Sequence, residues 1–366
     1  MSEYDDADDD LPPPQNRTIV WLKRVGMVLA LLLLILSFVN ASWLAPIPRG
    51  TVKLVAHRGT SQQFSHKGLD NQTCTATRIE PPVHDYLENT LPSLTSAVAL
   101  GAQAVEVDIA LTTDGRLALF HDWTLDCRTD GKGEVRSKTM AELKALDPGY
   151  GYTADGGKTF PLRSFNRGQI PALEDALAVL PDTGIVFNFK SRDAREADQL
   201  AAALKFLGRD VIKRGDGFLG TEVQAARIRK AFPGVWAFSK EGAKACTKAY
   251  LAAGWFGLVP DACKGGTLFV PLNYQWAFPG WPNRTLARMN SVGARVVLVG
   301  PMGDDLPMGL DLPEQIGKVP ASFTGYLWVD DIYAVGPALR PYYNKRSPEK
   351  EMALAKNLEA RRKARE

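Results

Sequence analysis

The chain has 366 residues, 45% of them hydrophobic and 23% charged, with a formal net charge of +3. This is ordinary globular composition, and the length allows one domain of roughly 250–300 residues beside a tail or an anchor. Residues 345–366 carry a net +4 and leave the remainder at −1, so nothing in the charge balance suggests the clustered basic face that nucleic-acid binding requires.

Residues 1–24, opening "MSEYDDADDDLPPPQNR", are acidic and proline-rich and read as a disordered cytoplasmic tail. Residues 25–48 hold no charge and centre on "GMVLALLLLILSFV", long enough for a transmembrane anchor. Arg17, Lys23 and Arg24 precede it; this places the N-terminus in the cytoplasm and the rest of a single-pass membrane protein outside it, in the periplasm if the cell is bacterial. A cleaved signal peptide ending at "VNA" before Ser42 is the alternative, although the apolar core exceeds the roughly 7–15 residues usual for one. Cys74, Cys127, Cys246 and Cys263 all follow this segment, so two disulfides fit an oxidising compartment. Cys74–Cys127 joins two loops near one site and Cys246–Cys263 closes a short span; this is the expected pairing among three. No cysteine spacing resembles a zinc site.

After the anchor, "VKLVAH" reads as a strand and "NTLPSLTSAVALG" as a helix capped near Asn89 or Thr90. "AVEVDI" and "LALFHD" follow as strands. The polar stretch Trp123 to Gly168 is too long for a plain connection and reads as an insertion over a functional face. Helical "ALEDALAVL", the strand "GIVFNFK", helical "READQLAAALKFLG" and the strand "GVWAFSK" come next. A helix near 243–253, the strand "TLFVPLN", a helix near 284–290 and the strands "ARVVLVG" and "GYLWVDD" complete the pattern. Short strands alternating with helices predict parallel βα units. The expected fold is α/β: a (β/α)8 TIM-type barrel over residues 50–343, with an insertion after the second strand and one N-terminal transmembrane helix ahead of it. Residues 344–366 read as a charged helical tail in solvent.

In such a barrel, functional groups gather where strands end. "VAHRG" supplies His57 and Arg58, "EVD" supplies Glu106 and Asp108, "LFHD" supplies His121, and "FNFK" supplies Asn188 and Lys190. Glu106 and Asp108 share one strand face, roughly 7 Å apart. Buried together they repel each other, unless the face is merely solvated. A divalent cation, Mg²⁺ or Ca²⁺, would relieve them and accept phosphate oxygens. Arg58 and Lys190 would hold the remaining phosphate charge, and two histidines supply a general base and a general acid. This is equipment for opening a phosphodiester.

"VAHRGT", "ENTLPSLTSAVALGAQAVEVDIALTTDGRLALFHDWTLDCRTDGKG" and "IPALEDAL" resemble the glycerophosphodiester phosphodiesterase family, a PI-PLC-like phosphodiesterase barrel. The resemblance is dense from Leu54 to about Lys190 and thins beyond. It implies metal-dependent hydrolysis of a glycerophosphodiester to glycerol 3-phosphate and an alcohol. His57 and His121 would be the catalytic pair, as base and acid in that order. Arg58 would bind the phosphate, and Glu106 and Asp108 the metal. Glu88, with Asn89 in "LENT", would be a metal ligand or lie just behind one. Asn188 stands where the family has a glutamate ligand; it can offer an amide oxygen but no charge. Asp330, Asp331 and Glu222 are candidate substitutes for that missing acid.

Thr60 to Leu87 forms a second insertion, with His66 and His84 read as loop residues. Tyr274, Trp276, Phe278 and Trp281 would line an apolar alcohol pocket, rest on lipid, or pack as core. The expected partner is a glycerophosphodiester or lysophospholipid. The alternatives are a phospholipase D or sphingomyelinase D-like enzyme on a lysophospholipid or sphingolipid, or a weakened phosphodiester-binding barrel.

Overall fold

The computed structural model describes residues 17–70, 73–164, 168–303 and 309–365. Most of the expected acidic tail lies outside the described residues. Helix α1 spans Arg17–Val39, so it takes in the basic residues read as preceding the span and stops short of residue 48. It is long and apolar enough to cross a membrane.

The barrel begins at β1 (Lys53–Ala56), followed by α2 (Leu91–Ala99), β2 (Ala104–Leu111) and the short β3 (Leu117–Leu119). Then come α3 (Met140–Lys144), α4 (Leu173–Val179), β4 (Gly184–Phe189), α5 (Ala194–Phe206), α6 (Val211–Arg214) and β5 (Gly217–Gly220). The second half holds α7 (Glu222–Ala231), β6 (Trp236–Ser239), α8 (Lys240–Ala253), β7 (Thr267–Pro271), α9 (Asn283–Ser291), β8 (Arg295–Val299) and β9 (Tyr326–Val329). Helices α10 (Ile332–Leu339) and α11 (Pro348–Lys363) complete the chain.

Eight strands pair in parallel in the order β6-β5-β4-β2-β1-β9-β8-β7. Among the described residues no backbone ladder joins β6 to β7. Side chains span that seam instead: Trp236 Nε1 donates to Thr267 Oγ1 at 2.8 Å, and Phe238 meets Phe269 edge-on. The result is a nearly closed (β/α)8 barrel.

Alternation along the strands sorts the residues into two cores. Val105, Val107 and Ile109 point outward to the helices, whereas Val55, Ala104, Val186, Trp236, Val297 and Tyr326 fill the interior. Extending the interior set in steps of two along β1, β2, β4 and β9 reaches His57, then Glu106 and Asp108, then Asn188, then Trp328 and Asp330. The candidate site is therefore the top layer of the barrel's own packing. β3 pairs antiparallel with β2 and is not a barrel stave. Phe120 N donates to Asp108 O at 3.0 Å, which sets His121 over the end of β2.

The two insertions pack on each other above that end. Ala76, Ile79 and Leu87 from the first meet Tyr152 and Leu162 from the second, and Cys74–Cys127 staples them. Cys246–Cys263 is the other disulfide, as expected. The charged C-terminal helix differs from its reading as a solvated tail. In α11, Leu354 and Leu358 join the main core, and buried Arg361 bonds Glu80 at 2.7 and 2.9 Å and Asp331 at 2.8 Å. Leu354, Asn357, Leu358 and Arg361, at three- and four-residue spacings, form a narrow buried seam within a mostly polar sequence.

Candidate active site

The loop after β1 carries the first group of residues. Arg58 has φ 61° and Asn89 φ 60°, a left-handed conformation unusual outside glycine. Both are held there by specific bonds. Arg58 N donates to Glu106 Oε2 at 3.0 Å, and Asn89 N to Arg58 O at 3.0 Å. Asn89 clasps Asp108 in both directions, its Nδ2 donating to Oδ2 at 2.9 Å and its Oδ1 accepting from Asp108 N at 3.0 Å. Between them, Gly59 has φ 79°, and a Cβ there would lie 2.3 Å from Ser93 Oγ. Only glycine fits so close to the start of α2. Strain of this kind concentrates at functional sites, where surrounding bonds hold it.

Glu106 and Asp108 are fully buried at the floor. Asn188 reaches both, its Nδ2 lying 2.9 Å from Glu106 Oε1 and 3.0 Å from Asp108 Oδ1. Burial and the neighbouring Asp108 push Glu106 up. Burial acts the same way on Asp108, but Lys190, His121 and Arg58 outweigh it and hold that carboxyl low. Lys190 Nζ lies 3.5 Å from Asp108 Oδ1. A buried pair with one member forced toward neutrality is a pair that a cation would relieve.

Each histidine has its own carboxylate. His57 Nδ1 lies 2.7 Å from Asp330 Oδ1, and His121 Nδ1 lies 2.6 Å from Asp122 Oδ1. Both rings thus keep Nε2 for chemistry; His57 Nε2 is 4.0 Å from Glu106 Oε2. Their electrostatics diverge. Burial pulls His57 down, but Glu106 and Asp330 outweigh it and raise its pKa. Burial also pulls His121 down, and Arg58 adds to it, leaving that ring at about 4.

Glu88 is locked between two guanidinium groups, accepting from Arg58 Nη1 and Arg128 Nη1, each at 3.1 Å. Burial would raise its pKa, but Arg128 and Arg58 lower it. Arg128 also donates to Asp122 Oδ2 at 2.8 Å and to Tyr152 Oη at 2.7 Å. His57, Arg58, Glu88, His121 and Lys190 line one cavity of about 730 Å³.

Asp330 joins the site as the partner of His57, while its other oxygen accepts from Gly309 N at 2.8 Å. Asp331 pairs with Arg361 and caps α10, and Glu222 is exposed at the start of α7 against Ser239. None of the three adds a carboxylate to the Glu106–Asp108 pair. His66 lines the cavity, whereas His84 is buried away from it, bonded by Gln62 and depressed by burial to about 4. The four aromatics do not line the cavity. Phe278 is core, Trp281 packs on Phe323, and Tyr274 and Trp276 are exposed, the latter by 77%.

Asp122, Arg128 and Lys240 were not singled out from sequence. Asp122 adjoins His121 in "LFHD", and Lys240 continues the inward alternation of Trp236 and Phe238. Arg128 follows Cys127 in the insertion, and no sequence signal pointed to its role.

Paired histidines, buried carboxylates and cations converge at the mouth of the (β/α)8 barrel. Residues 57–219 match the family model described as "Glycerophosphoryl diester phosphodiesterase family". The chain is 35% identical to the glycerophosphodiester phosphodiesterase of Caldanaerobacter subterraneus subsp. tengcongensis over 28% of its own length and 39% of that protein. It is 32% identical to rat (Rattus norvegicus) glycerophosphodiester phosphodiesterase 1 over 43% of its own length and 38% of that one. The crystal structure of glycerophosphodiester phosphodiesterase from Agrobacterium tumefaciens str. C58 shares the fold, with a TM-score of 0.52 at 20% identity over 78% of this chain and 99% of that one. The chain is thus similar to this family over residues 57–219 and shares the fold of its solved structures. It spans well under two thirds of the length of the curated relatives it matches.

Proposed function

We propose that this protein hydrolyses glycerophosphodiesters to glycerol 3-phosphate and an alcohol, using His57 and His121 as proton donor and acceptor. One observation carries the reading. Arg58 Nε is buried without a hydrogen-bond partner, 3.4 Å from Asp108 Oδ2, beside a cavity that both histidines line. A buried guanidinium donor left unbonded is costly, and a phosphate oxygen is its natural acceptor.

The electrostatics favour the reverse of the order expected from sequence. Neutral His121, steadied by Asp122, takes the proton from the attacking oxygen. Charged His57, sustained by Asp330 and Glu106, gives its proton to the leaving alcohol oxygen as the P–O bond breaks. Water supplies the oxygen that replaces it overall. Arg58 and Lys190 bind the phosphoryl oxygens, where preorganised charge is most effective.

The donor set suits a hydrated Mg²⁺ or Ca²⁺: two carboxylates on one strand face, with the Asn188 amide able to turn its oxygen inward and substrate phosphate completing the shell. Among the described residues no group of three His, Cys, Asp or Glu side chains gathers there, so Asn188 makes this a lower-charge site. Glu106, Asp108 and Asn188 would hold the ion, which would neutralise phosphate charge when bound. Glu88, committed to Arg58 and Arg128, positions those cations rather than the metal. Helix α1 anchors the protein in a membrane with its N-terminus on the cytoplasmic side, as Arg17, Lys23 and Arg24 in its first turns favour.

Product analysis tests the reaction. Incubation with glycerophosphocholine should yield glycerol 3-phosphate and choline. Phosphocholine, or turnover confined to long-chain lysophospholipids, would refute this bond and substrate class.

A further inference from the structure

The exit of α1 is built into the barrel, and this bears on how the barrel is oriented. Arg288 on α9 donates through Nη2 to Val39 O at 3.0 Å and through Nη1 to Asn40 Oδ1 and Gly254 O, each at 3.0 Å. One guanidinium therefore neutralises the C-terminal end of α1 and the end of α8 together. Asn40 Nδ2 donates to Trp255 O at 2.7 Å, and Ser42 Oγ accepts from Asn283 N at 3.0 Å. Gly257, at φ 79°, packs so closely that a Cβ there would lie 3.1 Å from Val39 Cγ1. Otherwise α1 projects freely, with no buried residue.

The corner it leaves from is apolar and uncovered. Trp255, Phe256 and Leu258 are 42%, 64% and 60% exposed, three large apolar side chains within four positions beside the last turn of α1. This corner joins the end of α8 to the start of β7. It lies at the end of the barrel where strands begin, opposite the mouth that holds His57 and His121.

We propose that the Trp255–Leu258 corner seats in the interface of the bilayer that α1 spans, holding the mouth away from that membrane so that the site takes its phosphodiester from water. The proposal rests on the reading of α1 as a membrane-spanning helix. An apolar corner in register with the end of a spanning helix lies at the depth where tryptophan and its neighbours gather. The hydrogen bonds that tie Val39, Asn40 and Ser42 to α9 and the α8 end oppose turning of the mouth to the lipid. A substrate with its acyl chains in that same bilayer would not reach His57, whereas a deacylated, water-soluble diester would.

Site-directed spin labelling of the full chain tests this, since all four native cysteines are paired. Labels at Leu32→Cys in α1, Phe256→Cys at the corner and Lys67→Cys on the mouth's rim are compared in phosphatidylethanolamine–phosphatidylglycerol vesicles. Collision with oxygen and with a water-soluble nickel chelate reports depth. The expected result is a deep label at residue 32, loss of most nickel accessibility at 256 and full accessibility at 67. A deep label at 32 with 256 as accessible as 67 overturns the docking, and protection at 67 instead of 256 overturns the orientation. A water-exposed label at 32 overturns the anchor on which both depend. Leu258→Cys repeats the corner measurement should Phe256→Cys fold poorly.

Discussion

Asp330 is the residue through which the proposed acid can be tested most sharply. Its Oδ1 lies 2.7 Å from His57 Nδ1, and its Oδ2 accepts from Gly309 N at 2.8 Å. Asp330→Asn is isosteric, keeps an acceptor for Gly309, and offers the imidazolium no anion. A hydrogen bond to a charged group contributes about 1.5–3 kcal/mol net, which is roughly ten- to a hundredfold in rate when the charged form reacts. Glu106, 4.0 Å from the same ring, remains as a weaker support. The sign follows from His57: its pKa is raised in the folded protein, so the protonated ring is present at low pH and lost as pH rises. Removing Asp330 brings that loss forward. Initial rates of glycerol 3-phosphate release across pH should therefore show kcat down about ten- to a hundredfold, with the alkaline limb displaced to lower pH. A variant with wild-type kcat and an unmoved alkaline limb would refute the claim that Asp330 keeps His57 charged.

The wild-type pH profile should be a broad bell: His121 titrates at about 4, so the acid limb lies near there, while the alkaline limb lies above the ordinary histidine value; an acid limb near 6.5 would contradict the neutral-base assignment. Asn188→Asp adds a third carboxylate to the floor and should tighten Mg²⁺ binding about tenfold or more by calorimetric titration, while lowering the melting temperature in EDTA; unchanged affinity would place Asn188 outside the metal's shell. Arg361→Met strips buried Asp331 and Glu80 of their shared cation, and urea unfolding should show a loss of about 3–5 kcal/mol. An unmoved midpoint would mean that the α11 docking adds nothing to stability.

What the sequence disclosed follows from its periodicities. Period two in "AVEVDI" and "FNFK" is enough by itself to put Glu106, Asp108, Asn188 and Lys190 on one face. The helical stretches "READQLAAALKFLG" and "ALEDALAVL" were equally legible. β5, "GFLG", was not, because four residues bounded by glycines carry no period. β3 read as a barrel strand because a hairpin excursion and a parallel stave look alike over three apolar residues. Asp330 was legible as a polar group after the last strand, but its bond to His57 spans 273 positions, so its role could not be assigned. Helix α11 misled for a different reason: its buried seam is held by Arg361 and an asparagine as much as by leucines, and composition alone reads those as solvated.

In the proposed reaction, two histidines over a buried carboxylate pair open a glycerophosphodiester. The most direct measurement follows glycerol 3-phosphate released from glycerophosphocholine and glycerophosphoethanolamine by the full chain, in EDTA, Mg²⁺ or Ca²⁺, beside His121→Ala. Metal-stimulated release that disappears in His121→Ala is the predicted result. Release that survives that substitution, or no release with any divalent metal, would contradict the account.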